Sequence, residues 1–168
     1  AKMRRTGICG AMESLLVGLL DISRLDAGAV KPEFQSVRMQ DVFQEVKIHE
    51  ASAAAAKGLD LRFRLPRNND GKQLMVLTDP MLLHSVLRNL VANAIRYTAQ
   101  GGVLLTARQR GEAISFEVWD TGIGIPDHEQ SQIYEEFYKV PTSGTEEGFG
   151  LGLAIVRRLS ERLGYTVS

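Results

Sequence analysis

The stretch PMLLHSVLRNLVANAIRYT, residues 80–98, organises the reading of the whole chain. At about 100° per residue, Leu83, Leu87, Leu90, Val91, Ala94 and Ile95 gather on one side, while Ser85, Asn89, Asn93 and Arg96 share an arc of about 80°. Asp79-Pro80 supplies a start signal, because proline fits the first helical turn, where its missing N–H costs nothing. The spacing therefore predicts a helix from Pro80 to Thr98. A polar helix face is ordinarily just solvated. This one carries two carboxamides and a guanidinium: asparagine oxygens suit a hard cation such as Mg²⁺, and an arginine fork suits a phosphate.

Working outward, 103–109 and 113–119 read as the arms of a hairpin around Arg110-Gly111. Directly after Trp119 comes DTGIGIP, residues 120–126. Its glycines let the backbone turn tightly and a flat ligand approach closely. A carboxylate at a strand end can accept a hydrogen bond from an exocyclic amine; adenine presents one there, whereas guanine presents a carbonyl that the carboxylate repels. Without a ligand the same residues would simply make an Asp-Gly turn. Further on, GFGLGL, residues 148–153, opens a last helix running from about Leu151 to Leu163. Successive N–H groups at a helix N-terminus form a ready anion site. No Gly-Lys-Ser/Thr follows, so this is not a Walker loop. Nor does it sit in a βαβ unit with a downstream acidic residue, as a dinucleotide fingerprint would.

Upstream, residues 11–27 predict a helix with an apolar stripe (Met12, Leu15, Leu16, Leu19, Ile22, Leu25) that needs a partner to be buried. Residues 31–40 look extended. A helix is expected from Asp41, as N-cap, to Lys57, with Gly58 ending it. Leu59, Leu61, Phe63 and Leu65 alternate as in a half-buried strand, and Leu74 to Leu77 form a short one. A short helix is expected near 129–137. Helices and hairpins mixed in this order predict an α+β fold, a two-layer α/β sandwich with a mixed sheet.

Composition bounds the function. Twenty basic against twenty acidic residues leave no net charge, which argues against nucleic acid as a partner. A lone Cys9 excludes an internal disulfide framework and suits a reducing, cytoplasmic setting. The longest apolar stretch, Leu15 to Leu20, is far short of the ~20 residues of a membrane span. A cytoplasmic piece of a membrane-bound or hybrid parent fits equally well.

Taken together, the segments are more specific than any one of them. Asn-x-x-x-Asn on a helix, Asp-x-Gly-x-Gly after a strand, an aromatic segment and Gly-x-Gly-x-Gly at a helix start resemble the GHKL ATPase superfamily, whose nucleotide fold is the Bergerat type. Asn89 to Tyr97 looks like the N box of sensor histidine kinases, Asp120 to Gly124 like their G1 box, Tyr134 to Tyr138 like their F box and Gly148 to Leu153 like their G2 box. Leu20 to Gly28 resembles the end of their second dimerisation helix. The resemblance implies residues 1–30 as a remnant of that helix and 31–168 as the ATP-binding catalytic domain, with C-terminal strands missing. By the same resemblance, Asn89 and Asn93 would hold Mg²⁺ against the phosphates of ATP. Arg96 would contact a phosphate and Tyr97 would line the nucleotide. Asp120 would accept the adenine amino hydrogen, with Gly122, Gly124 and Ile125 beside the ring. Phe137 would anchor a lid over 139–147, and Gly148, Gly150, Leu151 and Gly152 would shape the phosphate end.

The family's phosphoacceptor motif, histidine followed by an acidic residue and then x-Arg/Lys-x-Pro/Thr, is not matched. His49-Glu50 is followed by Ala51-Ser52-Ala53, His84 lies on the apolar side of its helix, and His128 follows Pro126-Asp127. The expectation is a histidine kinase fragment that binds Mg·ATP and ADP. Its γ-phosphoryl acceptor would be a histidine helix elsewhere in the parent, relay would run to a response regulator receiver, and residues 11–27 could pair as a homodimer. The fragment alone is not expected to autophosphorylate. The alternative is a nucleotide-binding GHKL interaction module without kinase turnover.

Overall fold

The computed structural model describes residues 30–66, 73–111, 113–140 and 148–168, together with Leu19, Ser23 and Gly28. Apart from Leu19 and Ser23, the expected helix at 11–27 lies outside the described residues, as do its pairing role and most of the expected lid (141–147). The elements run β1 (Gln35–Arg38), α1 (Met39–Ala56), β2 (Asp60–Arg64), β3 (Met75–Thr78), α2 (Pro80–Tyr97), β4 (Gly102–Arg110), β5 (Ala113–Asp120) and α3 (Gly152–Leu163).

β2 pairs in parallel with β4, and β4 pairs antiparallel with β5, giving a mixed three-stranded sheet in the order β2-β4-β5. β1 and β3 form a separate antiparallel pair. The expected mixed sheet is therefore present, accompanied by a two-stranded ribbon. Among the described residues, β3 pairs only with β1 and β5 only with β4. A cleft of about 1350 Å³ lies between their free edges, lined by Met75, Leu77, Phe116, Trp119 and the chain segment Tyr165 to Ser168. It lies apart from the glycine segments.

The helices cover the sheet because each buries one stripe. α1 buries Met39, Val42, Phe43, Val46 and Ala54 at three- and four-residue steps. α2 buries Leu83, Val86, Leu87, Val91, Ala94 and Ile95. β4 turns Val103, Leu105 and Ala107 toward them. This makes the main core, while α3 closes a second cluster of Ile155, Val156, Leu159 and Leu163 with Val86 and Leu151. Glu50, buried on α1, takes the Arg88 guanidinium from α2 at 3.3 Å and ties the two helices together. Tyr165 donates from its hydroxyl to Thr78 Oγ1 at 2.7 Å, fixing the end of α3 to β3.

Three local expectations are corrected. The extended stretch is shorter than 31–40, because the helix already begins at Met39. Asp41 is not its cap but a first-turn residue: Arg38 holds the cap position without a side-chain bond and pairs with Asp41 at 3.5 Å. Burial of Met39 draws the helix start forward, and the carboxylate still faces the positive helix end. The expected helix near 129–137 is a succession of turns over 127–137. Its bonds Glu129 N–H to Pro126, Gln132 N–H to Glu129 and Glu135 N–H to Gln132 (each 2.9 Å) close tight three-residue steps. Only Ile133 and Tyr134 there are half-buried among apolar side chains, too little to hold a regular helix in place. Phe137 then leaves the helical region altogether, at φ 62°.

Candidate functional site

α2 carries the first part of the site on its last turns. Its start is fixed by Asp79, whose Oδ1 accepts from Leu82 N–H at 3.0 Å and whose Oδ2 accepts from Glu33 N–H at 2.8 Å. The buried apolar stripe sets the rotation of the helix, so the polar stripe faces the beginning of α3. Asn89 donates from Nδ2 to the Ser85 carbonyl at 2.9 Å. Its amide end is thus occupied, and its Oδ1 is left toward the start of α3. Arg96 donates from Nη1 to Asn93 Oδ1 at 3.2 Å.

The glycines of 148–152 meet this stripe at close quarters. A Cβ on Gly152 would stand 3.1 Å from Asn93 Nδ2 and 3.5 Å from Asn89 Oδ1. A Cβ on Gly148 would stand 2.7 Å from Arg96 Nη1. Asn89, Asn93, Arg96, Gly148 and Gly152 are therefore brought together as one wall. α3 begins here with Leu151 at its cap position and no side-chain bond. Its first N–H groups are left for another acceptor. The Leu151 side chain is only 5% exposed and packs in the second core cluster, so only its backbone can serve a ligand.

Gly150 joins this wall to the aromatic segment. Its carbonyl accepts from Phe137 N–H at 3.1 Å, and a Cβ on it would stand 2.5 Å from the Tyr138 carbonyl oxygen. Its φ of +69° is open to glycine at no steric cost. Phe137 is 54% exposed.

The second part of the site stands at the end of β5. Asp120 Oδ1 accepts from Gly122 N–H at 2.8 Å, which orients the carboxylate and leaves Oδ2 for a ligand donor. Gly122 is pressed against α2, since a Cβ there would stand 2.6 Å from the Tyr97 carbonyl oxygen. Tyr97 is half-buried at this junction. Gly124, at φ +70°, faces open space, with Ile123 and Ile125 exposed beside it. These last residues make a rim rather than part of the contact cluster.

Thr121 was not singled out by sequence reasoning, yet it straps this end of the site. Its hydroxyl donates to the Gln100 carbonyl at 2.8 Å and accepts from Gly102 N–H at 3.1 Å. The partners are 19 and 21 residues away, so no local pattern announces the strap.

The three histidines lie elsewhere. His49 on α1 and His84 on α2 face each other with ring centroids 5.4 Å apart, and His128 sits exposed beside Glu129. His84 Nε2 is buried without a hydrogen-bond partner. Burial holds its pKa below the usual 6.5; Glu45 opposes this, while His49 and Arg88 add to it. Among the described residues no cluster of three or more histidine, cysteine or acidic side chains could hold a metal. The ligands on offer for a cation are carboxamide oxygens. Asn89 fits, with its oxygen free. Asn93 fits only if its oxygen exchanges the Arg96 bond for the metal.

Residues 78–168 match the family described as histidine kinase-, DNA gyrase B-, and HSP90-like ATPase. The chain is 37% identical over 158 residues to the hybrid signal transduction protein dokA of Dictyostelium discoideum, covering 90% of this chain and 9% of dokA. It is 33% identical over 152 residues to the aerobic respiration control sensor protein ArcB of Escherichia coli (strain K12), covering 87% of this chain and 19% of ArcB. The chain thus spans less than a fifth of either relative. Among solved structures, full-length ShkA in complex with AMPPNP aligns at TM-score 0.77 and 31% identity, over 90% of this chain and 31% of that chain. The nucleotide-free catalytic domain of histidine kinase ThkA aligns at 0.64 and 29%, over 78% of this chain and 82% of that chain. The matched family span holds every site residue from Asn89 to Gly152 on a fold shared with histidine kinases, and this chain belongs to the histidine kinase-, DNA gyrase B-, and HSP90-like ATPase family, on its histidine kinase branch.

Proposed function

We propose that this chain binds Mg·ATP and presents the γ-phosphoryl group to a histidine carried by another segment of a sensor histidine kinase, for relay to a response regulator receiver domain. The observation that carries the proposal is the wall of Asn89, Asn93 and Arg96 against the glycine turn at the start of α3, with the oriented carboxylate of Asp120 at the end of β5. The AMPPNP bound by the ShkA neighbour supports a nucleotide here. The neighbour structure of ThkA with its response regulator TrrA, 22% identical, contributes the shared fold.

In this reading Asp120 Oδ2 accepts the adenine amino hydrogen, while Gly122 and Gly124 leave room for the ring. Arg96 and the N–H groups opening α3 take the phosphates. Asn89 and Asn93 would hold Mg²⁺, which when bound neutralises the phosphate charge. The residues of this chain bind and orient. The P–O bond to the β-phosphate breaks, a P–N bond to the incoming imidazole forms, and ADP stays on the chain. Asn89 has no basic oxygen to activate water, so sustained ATP hydrolysis is not expected.

We place the domain in the cytoplasm, where ATP is. The free edges of β3 and β5 around their cleft support the expectation of a further strand there. Pairing through residues 11–27 belongs to the same proposal. Calorimetry with ATP and GTP tests the core of it: ATP should bind with Mg²⁺ and GTP should not. Equal binding of both nucleotides, or of neither, defeats the reading. Radiolabelled ATP separates donor from acceptor, because stable label on this chain alone would show that the acceptor is one of its own residues.

A further inference from the structure

We infer that Lys57 is a positioning residue for the nucleotide site, acting by closing the last turn of α2. The inference rests on the reading of that site as an ATP site. Lys57 follows the last residue of α1 and touches none of the candidate ligand groups with its ammonium. It reaches instead across to the end of α2. Its Nζ donates to the carbonyl oxygens of Ile95 at 2.9 Å, Arg96 at 2.7 Å and Thr98 at 3.5 Å.

The last carbonyls of a helix have no partner within it. Here Ala94 accepts from Thr98 N–H at 3.1 Å, and Lys57 takes the next two, Ile95 and Arg96. The carbonyl of Tyr97 is the one that Gly122 is pressed against. A cation at this end also opposes the negative pole of the helix, and Lys57 does so from another element. The lysine thus gathers the final turn into one geometry. That turn carries the Arg96 side chain toward Gly148 and Asn93, and the Tyr97 carbonyl toward the Asp120 loop. Both ends of the site hang from it.

An exposed lysine that was merely solvated would point away from carbonyls, not at three of them. A lysine that only stabilises the fold would affect stability without any preference for what Arg96 does. The two roles separate in a double-mutant cycle on ATP affinity, measured by calorimetry on the 168-residue chain at a temperature where circular dichroism shows every variant folded. Lys57→Met is expected to weaken ATP binding by about five-fold, the upper end of what an exposed charge at a helix C-terminus contributes. Lys57→Arg keeps the donors and the charge and should recover binding to within about two-fold. In an Arg96→Met background, Lys57→Met should cost less than about two-fold, because the side chain it positions is gone. Unchanged affinity in Lys57→Met overturns the inference, as does an equal penalty with and without Arg96. Absence of ATP binding by the wild-type chain overturns the nucleotide reading and this inference with it. If Lys57→Met does not fold, Lys57→Gln, which keeps donors without the charge, takes its place in the same cycle.

Discussion

Asp120 shows how one carboxylate is divided between structure and ligand. Oδ1 is committed to Gly122 N–H and sets the angle; Oδ2 is left to recognise. Asp120→Asn keeps an oxygen for Gly122 but replaces the ligand-facing charge. It should weaken ATP binding at least ten-fold, since a hydrogen bond to a charged acceptor is worth about 1.5–3 kcal/mol. Calorimetry reads this directly, and the melting temperature without nucleotide should barely move. Gly150 is the opposite kind of residue, important for what it lacks. Its φ of +69° and the Tyr138 carbonyl 2.5 Å from a would-be Cβ leave no space for a methyl. Gly150→Ala should cost about 1–3 kcal/mol of stability by urea unfolding. It should also release Phe137 from its bond to the Gly150 carbonyl, visible as a shift of the Phe137 amide resonance.

The α2 helix shows how an element is aimed. Its N-terminal end is set by Asp79, which bonds the first turn and also the incoming chain at Glu33. Its other end is gathered by Lys57. Between them the apolar stripe fixes rotation, because Leu83, Leu87 and Val91 are all at most 1% exposed. Asp79→Ala should destabilise the domain by about 1–2 kcal/mol in urea, the ordinary cost of losing a cap. The α3 helix is treated differently. Leu151 leaves its first N–H groups uncapped, an arrangement that costs stability and suits an anion-binding start. An added anion of the right shape should therefore stabilise the chain: Mg·ATP should raise the melting temperature in the wild type and much less in Asp120→Asn.

Across the whole molecule, the α1–α2 seam couples folding to pH. His84 sits there half-buried with Nε2 unpartnered. It faces His49 across the seam, with Glu45 on α1 and Arg88 on its own helix acting on it. Its folded pKa lies below its usual 6.5, so the unfolded chain binds the proton more readily than the folded one. The stabilising effect of a neutral His84 is fully present above about pH 6.5 and is lost as pH falls through that value. The melting temperature should therefore drop between pH 7.5 and 5.5, and the drop should be smaller in His84→Gln. An identical drop in both proteins would assign the pH dependence to other groups.

Much of this was legible in the sequence because it is periodic or local. The 3.6-residue stripe of 80–98 gave the helix and its polar face together, the hairpin around Arg110-Gly111 followed from alternation and a turn, and the glycine spacings carried the family resemblance. Those features need only neighbours along the chain. The turns of 127–137 and the helix start at Met39 are not legible along the chain because packing, not propensity, sets them. The Thr121 strap, the Lys57 closure and the approach of Gly148 and Gly152 to the asparagines join residues tens of positions apart. Side-chain type and spacing determined that this protein would have a polar helix face, an acidic strand end and a glycine turn suited to a nucleotide. Only the tertiary structure decided that the helix face and the glycine turn meet as one wall, that the acidic strand end is tied to the end of the same helix through Gly122, and that Asn89 Oδ1 and Asp120 Oδ2 are left free, because hydrogen-bond partners are assigned by proximity in space and a linear pattern carries no record of it.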